Sequence, residues 1–300
     1  MGQHHHHDAS SQRLGLVFFL NLGFTVVEFI GGLLTNSTAI LADAVHDLGD
    51  SLSIGSAWVL HRLGRRDASD AFTYGFRRLS LFGALVNGLV LLAGSVWVLR
   101  EAIPRLFDPV MPVTEGMLLL ALLGVTVNGY AAWRLTAGKT LNERMLNWHL
   151  LEDVLGWLAV LVAAIIMQFV DWPILDPLLS VGFTLFILVN VVRNLWQTAR
   201  LFFQAVPDAE LRTGVERALL SVDGVSSLHH LHLWSLDGEH HVLTAHVVAR
   251  GPLDHARLKA RIADALATFE LAHTTIEVES EAEYCRDAWA FAGVESQKTD

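Results

Sequence analysis

The feature that most constrains this chain is a series of six long apolar segments in its first two thirds. A helix that crosses a bilayer needs roughly 20 mostly apolar residues. The stretches 13–34, 38–61, 79–101, 115–136, 145–169 and 174–199 meet that length. Hydrocarbon offers backbone N–H and C=O groups no partner, so segments of this kind must satisfy themselves as helices. The expectation is an α-helical membrane protein: a six-transmembrane-helix bundle over 13–205, preceded by an arm at 1–12. Residues 206–284 read instead as a small soluble domain, and 285–300 as a tail without clear pattern. Only 17% of residues are charged, against about 25% in soluble chains.

Charge and residue usage exclude several classes. Residues 206–300 hold 16 acidic and eight basic side chains within a net charge of -10. Nucleic acid is therefore not a partner, because phosphate contacts need clustered Lys and Arg. The single cysteine, Cys285, rules out an intrachain disulfide and a site built from several thiolates. Histidine is over-used, with eight of fifteen lying between 229 and 273. His4 to His7 read equally as a metal-collecting arm and as an appended purification tag. The N-terminus lacks the basic start and cleavage site of a signal peptide, so the first apolar segment reads as a retained helix.

Short-loop charges orient the bundle. Arg62, Arg65, Arg66, Arg77 and Arg78 follow the second segment, and Arg134, Lys139 and Arg144 follow the fourth. The opposite loops carry only Arg100 and Arg105. Positive charge stays inside, so both termini and the soluble domain are expected in the cytoplasm. Gly31, Gly32, Gly49, Ser53, Gly83 and Gly88 suit close helix approach. The soluble part reads helix 208–221, strands 225–234 and 241–249 around Asp237-Gly238, helix 253–270 and strand 273–279. That order, α-β-β-α-β, predicts a ferredoxin-like α+β domain.

Two of the apolar segments carry ionisable groups in their middle. The second contains Asp43-Ala-Val-His46-Asp47-Leu-Gly49-Asp50, and the fifth His149-Leu-Leu-Glu152-Asp153. His and Asp four residues apart share one helix face, one turn apart. If the two helices face each other, His46, Asp50, His149 and Asp153 can converge as two imidazoles and two carboxylates, a full tetrahedral set for Zn2+. Each ionisable group at mid-membrane costs about 2.5–3.5 kcal/mol. No Lys or Arg lies within either stretch, so a divalent cation is the natural counter-charge. The bland alternative is a hydrogen-bonded structural network. Metal needs neutral imidazole and ionised carboxylate, so protons and metal compete for the same lone pairs, and histidine titrates in the range where that exchange works.

On these residues the sequence resembles the cation diffusion facilitator family of zinc exporters. The resemblance spans about 12–280 and includes Thr73-Tyr-Gly-Phe-Arg-Arg78, His229-His-Leu-His-Leu-Trp234 and Ala245-His-Val247. It implies a homodimer in the lipid bilayer, cytoplasmic metal loading, alternating access and efflux of Zn2+ or a similar divalent metal against protons. It makes His46, Asp50, His149 and Asp153 the transport site, and His at its first position goes with zinc over cadmium. Asp47 and Glu152 depart from the zinc pattern and stand as auxiliary carboxylates: a proton acceptor, a fifth ligand or a group paired elsewhere. The loop after the second segment offers Asp67 and Asp70 but Phe72 and Phe76 instead of histidines, so no zinc site is expected there.

In the soluble domain the family pattern implies a regulatory metal site from His229, His246 and Glu279, completed by His255 or His273. Strand alternation places His230 and His232 on one face and His229 on the other. No catalytic cofactor is implied; Zn2+ enters as substrate and as regulatory ligand. Two other classes compete. An intramembrane metal-dependent hydrolase would use the same ligands with an open position, but no H-E-x-x-H is present. A membrane metal sensor would bind in the soluble domain without needing a buried, dehydrated site.

Overall fold

The computed structural model describes the backbone of residues 4–63, 68–135, 141–251 and 254–287, and the side chains of 15, 17–59, 68–133, 151–251 and 254–287. The chain divides into two compact units near residue 198.

The first unit holds six long helices: α1 (His4–Thr35), α2 (Thr38–Leu63), α3 (Leu79–Phe107), α4 (Thr114–Leu135), α5 (Leu141–Phe169) and α6 (Leu175–Phe202). Helix α1 starts nine residues before the expected first span, and α3 runs six residues past its expected end. Five helices contain stretches long and apolar enough to cross a membrane: Val17–Thr35, Leu79–Phe107, Thr114–Trp133, Leu151–Phe169 and Leu175–Phe202. Their outward faces expose Phe19, Leu119, Phe186 and Trp196. A water-facing surface does not carry such a belt, so the unit is a multi-pass integral membrane domain.

Helix α2 is the exception, because Asp43, Asp47 and Asp50 lower its apolar character. It is lodged among other helices, packing on α1 and α3 and meeting α5. Close approach is built in: a Cβ on Gly49 would stand 2.5 Å from the Leu91 side chain of α3. The start of α2 is held from another helix. Asp176 of α6, 1% exposed, accepts the backbone N–H groups of Thr38 and Ala39 at 2.7 and 3.2 Å and the hydroxyls of Ser37 and Thr38 at 2.5 and 2.8 Å. A carboxylate at a helix N-terminus satisfies orphan donors and complements the helix dipole. Farther along, Asn21 of α1 donates to Ser51 Oγ and to the Asp47 carbonyl, bracing the middle of α2.

The second unit comprises α7 (Ala209–Leu220), β1 (Val225–Ser235), β2 (His241–Ala249), α8 (His255–Leu266) and β3 (Leu271–Ser280). The sheet order is β1-β2-β3, with β1 antiparallel and β3 parallel to β2. A parallel neighbour requires a crossover, and α8 supplies it. Helix α8 begins where Asp254 accepts from the N–H groups of Ala256 and Arg257, and it ends at Leu266, four residues short of the expected 270. Val215 and Leu219 of α7 and Leu258, Ile262 and Leu266 of α8 pack on Leu233, Leu243, Ala245 and Val247. The helices thus cover one face of the sheet, and the other face carries the polar side chains.

A bulge in β1 corrects the alternation expected from the sequence. His229 pairs with His246, and His232 with Thr244, so two residues of β1 oppose Ala245 alone. The extra residue is taken up at His230, which adopts φ 49°, the local kink that defines a bulge. His246 and Thr244 lie two apart and share a face, so His229 and His232 opposite them share it too.

Candidate metal centres

The first centre lies where α2 meets α5. His46 Nε2 stands 3.8 Å from Asp50 Oδ2, one turn on, and 3.7 Å from Asp153 Oδ1 across the helix pair. All three side chains are at most 28% exposed. Ligand bonds of about 2.0–2.2 Å in tetrahedral array put donors about 3.3–3.6 Å apart. The two distances from His46 need to close by only a few tenths of an ångström, whereas the three donors do not all lie within 4.8 Å of one another. His149 sits in α5 one turn before Asp153, and its side chain lies outside the described residues. Glu152 is exposed, so it is turned away from the side on which Asp153 meets His46.

Asp47 does not join that trio. It is 7% exposed and groups with Glu28 and Asp43, one oxygen of each lying within 4.8 Å of the others. Glu28 is fully buried beside the carboxyls of Asp43 and Asp47. Sequence reasoning passed over Glu28, although a signal was present: it is the only charged residue of 14–35. The loop after α2 shows Asp70 exposed, whereas Asp67 lies outside the described residues.

The second centre is on the open face of the sheet. His246 Nδ1 is 2.8 Å from Glu279 Oε1, and His229 Nε2 is 3.1 Å from Glu279 Oε2. His229 Nε2 is buried and, despite that approach, meets the geometry of no hydrogen bond among the described residues. Burial by itself would raise the Glu279 pKa, but bonding to His246 and Cys285 and the nearby His229 outweigh it and hold the carboxyl below its usual value. Cys285 completes the group, its Sγ 3.5 Å from His246 Nδ1, and the four donors lie within 4.8 Å of one another. Burial, Glu279 and Asp287 together push the thiol pKa up, against the pull of the Asp287 backbone N–H.

His255 and His273 are not in this group. His255 opens α8, the helix on the opposite face of the sheet. His273 is six residues from Glu279 along β3, about 20 Å at the usual strand rise, and it lies 3.2 Å from Thr275 Oγ1. Cys285 was the residue that sequence reasoning missed, since a lone thiol beyond the last strand carries no spacing signal. The other ring nitrogen of His246 faces Glu277 and Asp287 at 3.8 and 3.6 Å, but Arg286 already pairs with both carboxylates.

The donors of the second unit fit a resident divalent ion: two imidazoles, a carboxylate and a thiol, with a buried ring nitrogen that has no hydrogen bond among the described residues.

Comparison with known proteins covers both units. Residues 14–203 match the family model for the cation efflux transmembrane domain, and 207–281 the model for the cytoplasmic domain of cation efflux proteins. A cadmium, cobalt and zinc/H(+)-K(+) antiporter of Bacillus subtilis is 30% identical over 94% of this chain and 93% of its own. Zinc transporter ZitB of Pectobacterium atrosepticum is 34% identical over 93% and 89%. The metal cation efflux system protein CzcD of Cupriavidus metallidurans is 30% identical over 93% and 90%. The fold of the first unit, the match across both units and these full-length relatives together establish that the chain belongs to the cation efflux family, the cation diffusion facilitators.

Proposed function

We propose that this protein exports Zn2+, or a closely similar divalent metal, from the cytoplasm in exchange for protons. The observation that carries the reading is the approach of His46, Asp50 and Asp153 from two helices of the membrane unit, with no Lys or Arg among them. A transporter needs this kind of site, because a cation must shed water at mid-bilayer and find replacement ligands there. His149 is the fourth ligand of the proposal. Asp50 and Asp153 hold the metal, and His46 or His149 carries the exchanged proton. Asp47 and Glu152 remain auxiliary carboxylates outside the ligand set.

The same reading takes the membrane domain as 13–205 with six crossings, α2 being the sixth, and both termini in the cytoplasm. It takes 206–284 as a cytoplasmic domain of ferredoxin-like type that dimerises the chain and holds a regulatory metal at His229, His246 and Glu279. The transporter and antiporter names of the relatives favour this class over an intramembrane hydrolase or a sensor without flux.

In proteoliposomes under an imposed pH gradient, wild type should accumulate Zn2+ and release protons in return. Asp50→Ala and Asp153→Ala should each reduce both fluxes to the level of empty vesicles. Wild-type flux in either variant would reject the site.

A further inference from the structure

We propose that Cys285 supplies a thiolate ligand that closes a four-coordinate metal site with His229, His246 and Glu279 within a single subunit. The inference rests on the reading of that His–Glu group as a resident metal site, and it adds the ligand that fixes its coordination and its metal preference.

Geometry carries it. The four donors come from β1, β2, β3 and the segment beyond β3, and all lie within 4.8 Å of one another. A tetrahedral Zn2+ with N and S ligands at about 2.0 and 2.3 Å sets the N–S edge at about 3.5–3.6 Å. The His246 Nδ1 to Cys285 Sγ distance is 3.5 Å. The His246 Nδ1–Glu279 Oε1 distance, 2.8 Å, opens by about half an ångström to reach the N–O edge of about 3.3 Å, and His229 Nε2 stands 3.1 Å from the other oxygen of the same carboxylate.

The thiol is held in place by its own segment. Glu283 N–H donates to the Ser280 carbonyl at 3.0 Å, and Ser280 N–H to the Glu283 carboxylate at 3.2 Å, which turns the chain back after β3. Arg286 then clamps it to the sheet through Glu277 at 2.8 Å. The same Arg286 neutralises the carboxylates on the far side of His246 and leaves the Nδ1 side as the place for a cation. The segment lies past residue 281, where the match to the family's cytoplasmic-domain model stops.

Chemistry gives the site its character. Two neutral imidazoles, one carboxylate and one thiolate bring two negative charges to a divalent ion. The Cys285 S–H bond breaks as the metal–sulfur bond forms, and the proton leaves to solvent. Four protein ligands and no open position describe a closed site, not one that passes its ion on. Sulfur selects Zn2+ and softer ions over Mg2+ and Mn2+.

The test uses the full-length protein purified in detergent, with Asp50→Ala and Asp153→Ala disabling the membrane site. Titration with Co2+ should give the d–d bands of a tetrahedral ion together with a near-ultraviolet sulfur-to-cobalt charge-transfer band. Cys285 is the only cysteine, so Cys285→Ser should abolish the charge-transfer band, keep weaker d–d bands and lower Zn2+ affinity at least tenfold. One equivalent of Zn2+ should protect the thiol from alkylation, and His229→Ala should remove that protection. Co2+ bound with d–d bands but no charge-transfer band would overturn the thiolate ligand and leave the His–Glu site standing. No Co2+ binding at all would overturn both.

Discussion

Asp237 shows how one carboxylate can hold a hairpin. Its Oδ1 accepts the N–H groups of Glu239 and His240 at 3.0 and 2.7 Å, and its Oδ2 pairs with His240 Nδ1 at 2.7 Å. Gly238 takes φ 104°, which the turn requires and a side chain would resist. Burial alone would raise the Asp237 pKa, but these donors favour the ionised form and lower it overall. A folded-state pKa below the unfolded one gives stability that is present above the unfolded value and lost as pH falls through the folded value. Asp237→Asn should therefore weaken amide protection at Glu239 and His240 near neutral pH by about fivefold, or roughly 1 kcal/mol. The difference from wild type should vanish in acid; persistence there would reject the charge argument. Legibility at this scale was uneven. His46, Asp50 and Asp153 were visible because polar groups in apolar segments stand out. Glu28 stood out equally but had no spacing partner to draw attention to it. The placing of His230 depended on one backbone dihedral, which residue identity does not reveal.

Among the elements, α2 is the one on which the proposed membrane site depends. It carries His46 and Asp50, and its first turn is tied to α6 by Asp176. Asp176→Ala strands the N–H groups of Thr38 and Ala39 and the hydroxyl of Ser37 in a buried place. Loss of the cap and of these bonds should cost about 2 kcal/mol or more. The melting temperature in detergent should drop, exchange at the Thr38 and Ala39 amides should accelerate, and metal affinity should fall with the positioning of α2. Unchanged exchange at those amides would show that Asp176 does not anchor the helix. Helices and strands were legible from period and length, since apolar runs and alternation are local properties. Their ends were less so. Helix α8 stops at Leu266 because Phe269 and Leu271 turn into the sheet core, a demand set by packing and not by helical preference.

At the scale of the molecule, the proposed topology makes a sharp prediction. Six crossings place the Asn36 turn, the 108–113 loop and the 170–173 loop on the outer side, and the 68–78 loop with both termini on the inner side. Single cysteines introduced into a Cys285→Ser background should react with an impermeant reagent from outside only in the first set. Labelling of Asn36→Cys from the inner side alone would break the assignment and with it the route of export. The amino-acid order by itself determined that the chain is a membrane bundle followed by a small acidic domain, and that two helices carry ionisable groups in their apolar middles. Those conclusions follow from transfer energies and helical geometry, which act residue by residue. Only the tertiary structure decided which donors meet. It turned Glu152 outward, moved Asp47 to a carboxylate group with Glu28, left His255 and His273 apart from Glu279, and brought Cys285 onto the sheet. Such meetings depend on bulges, turns and helix facings that place atoms within a few ångströms, a distance no local pattern in the chain encodes.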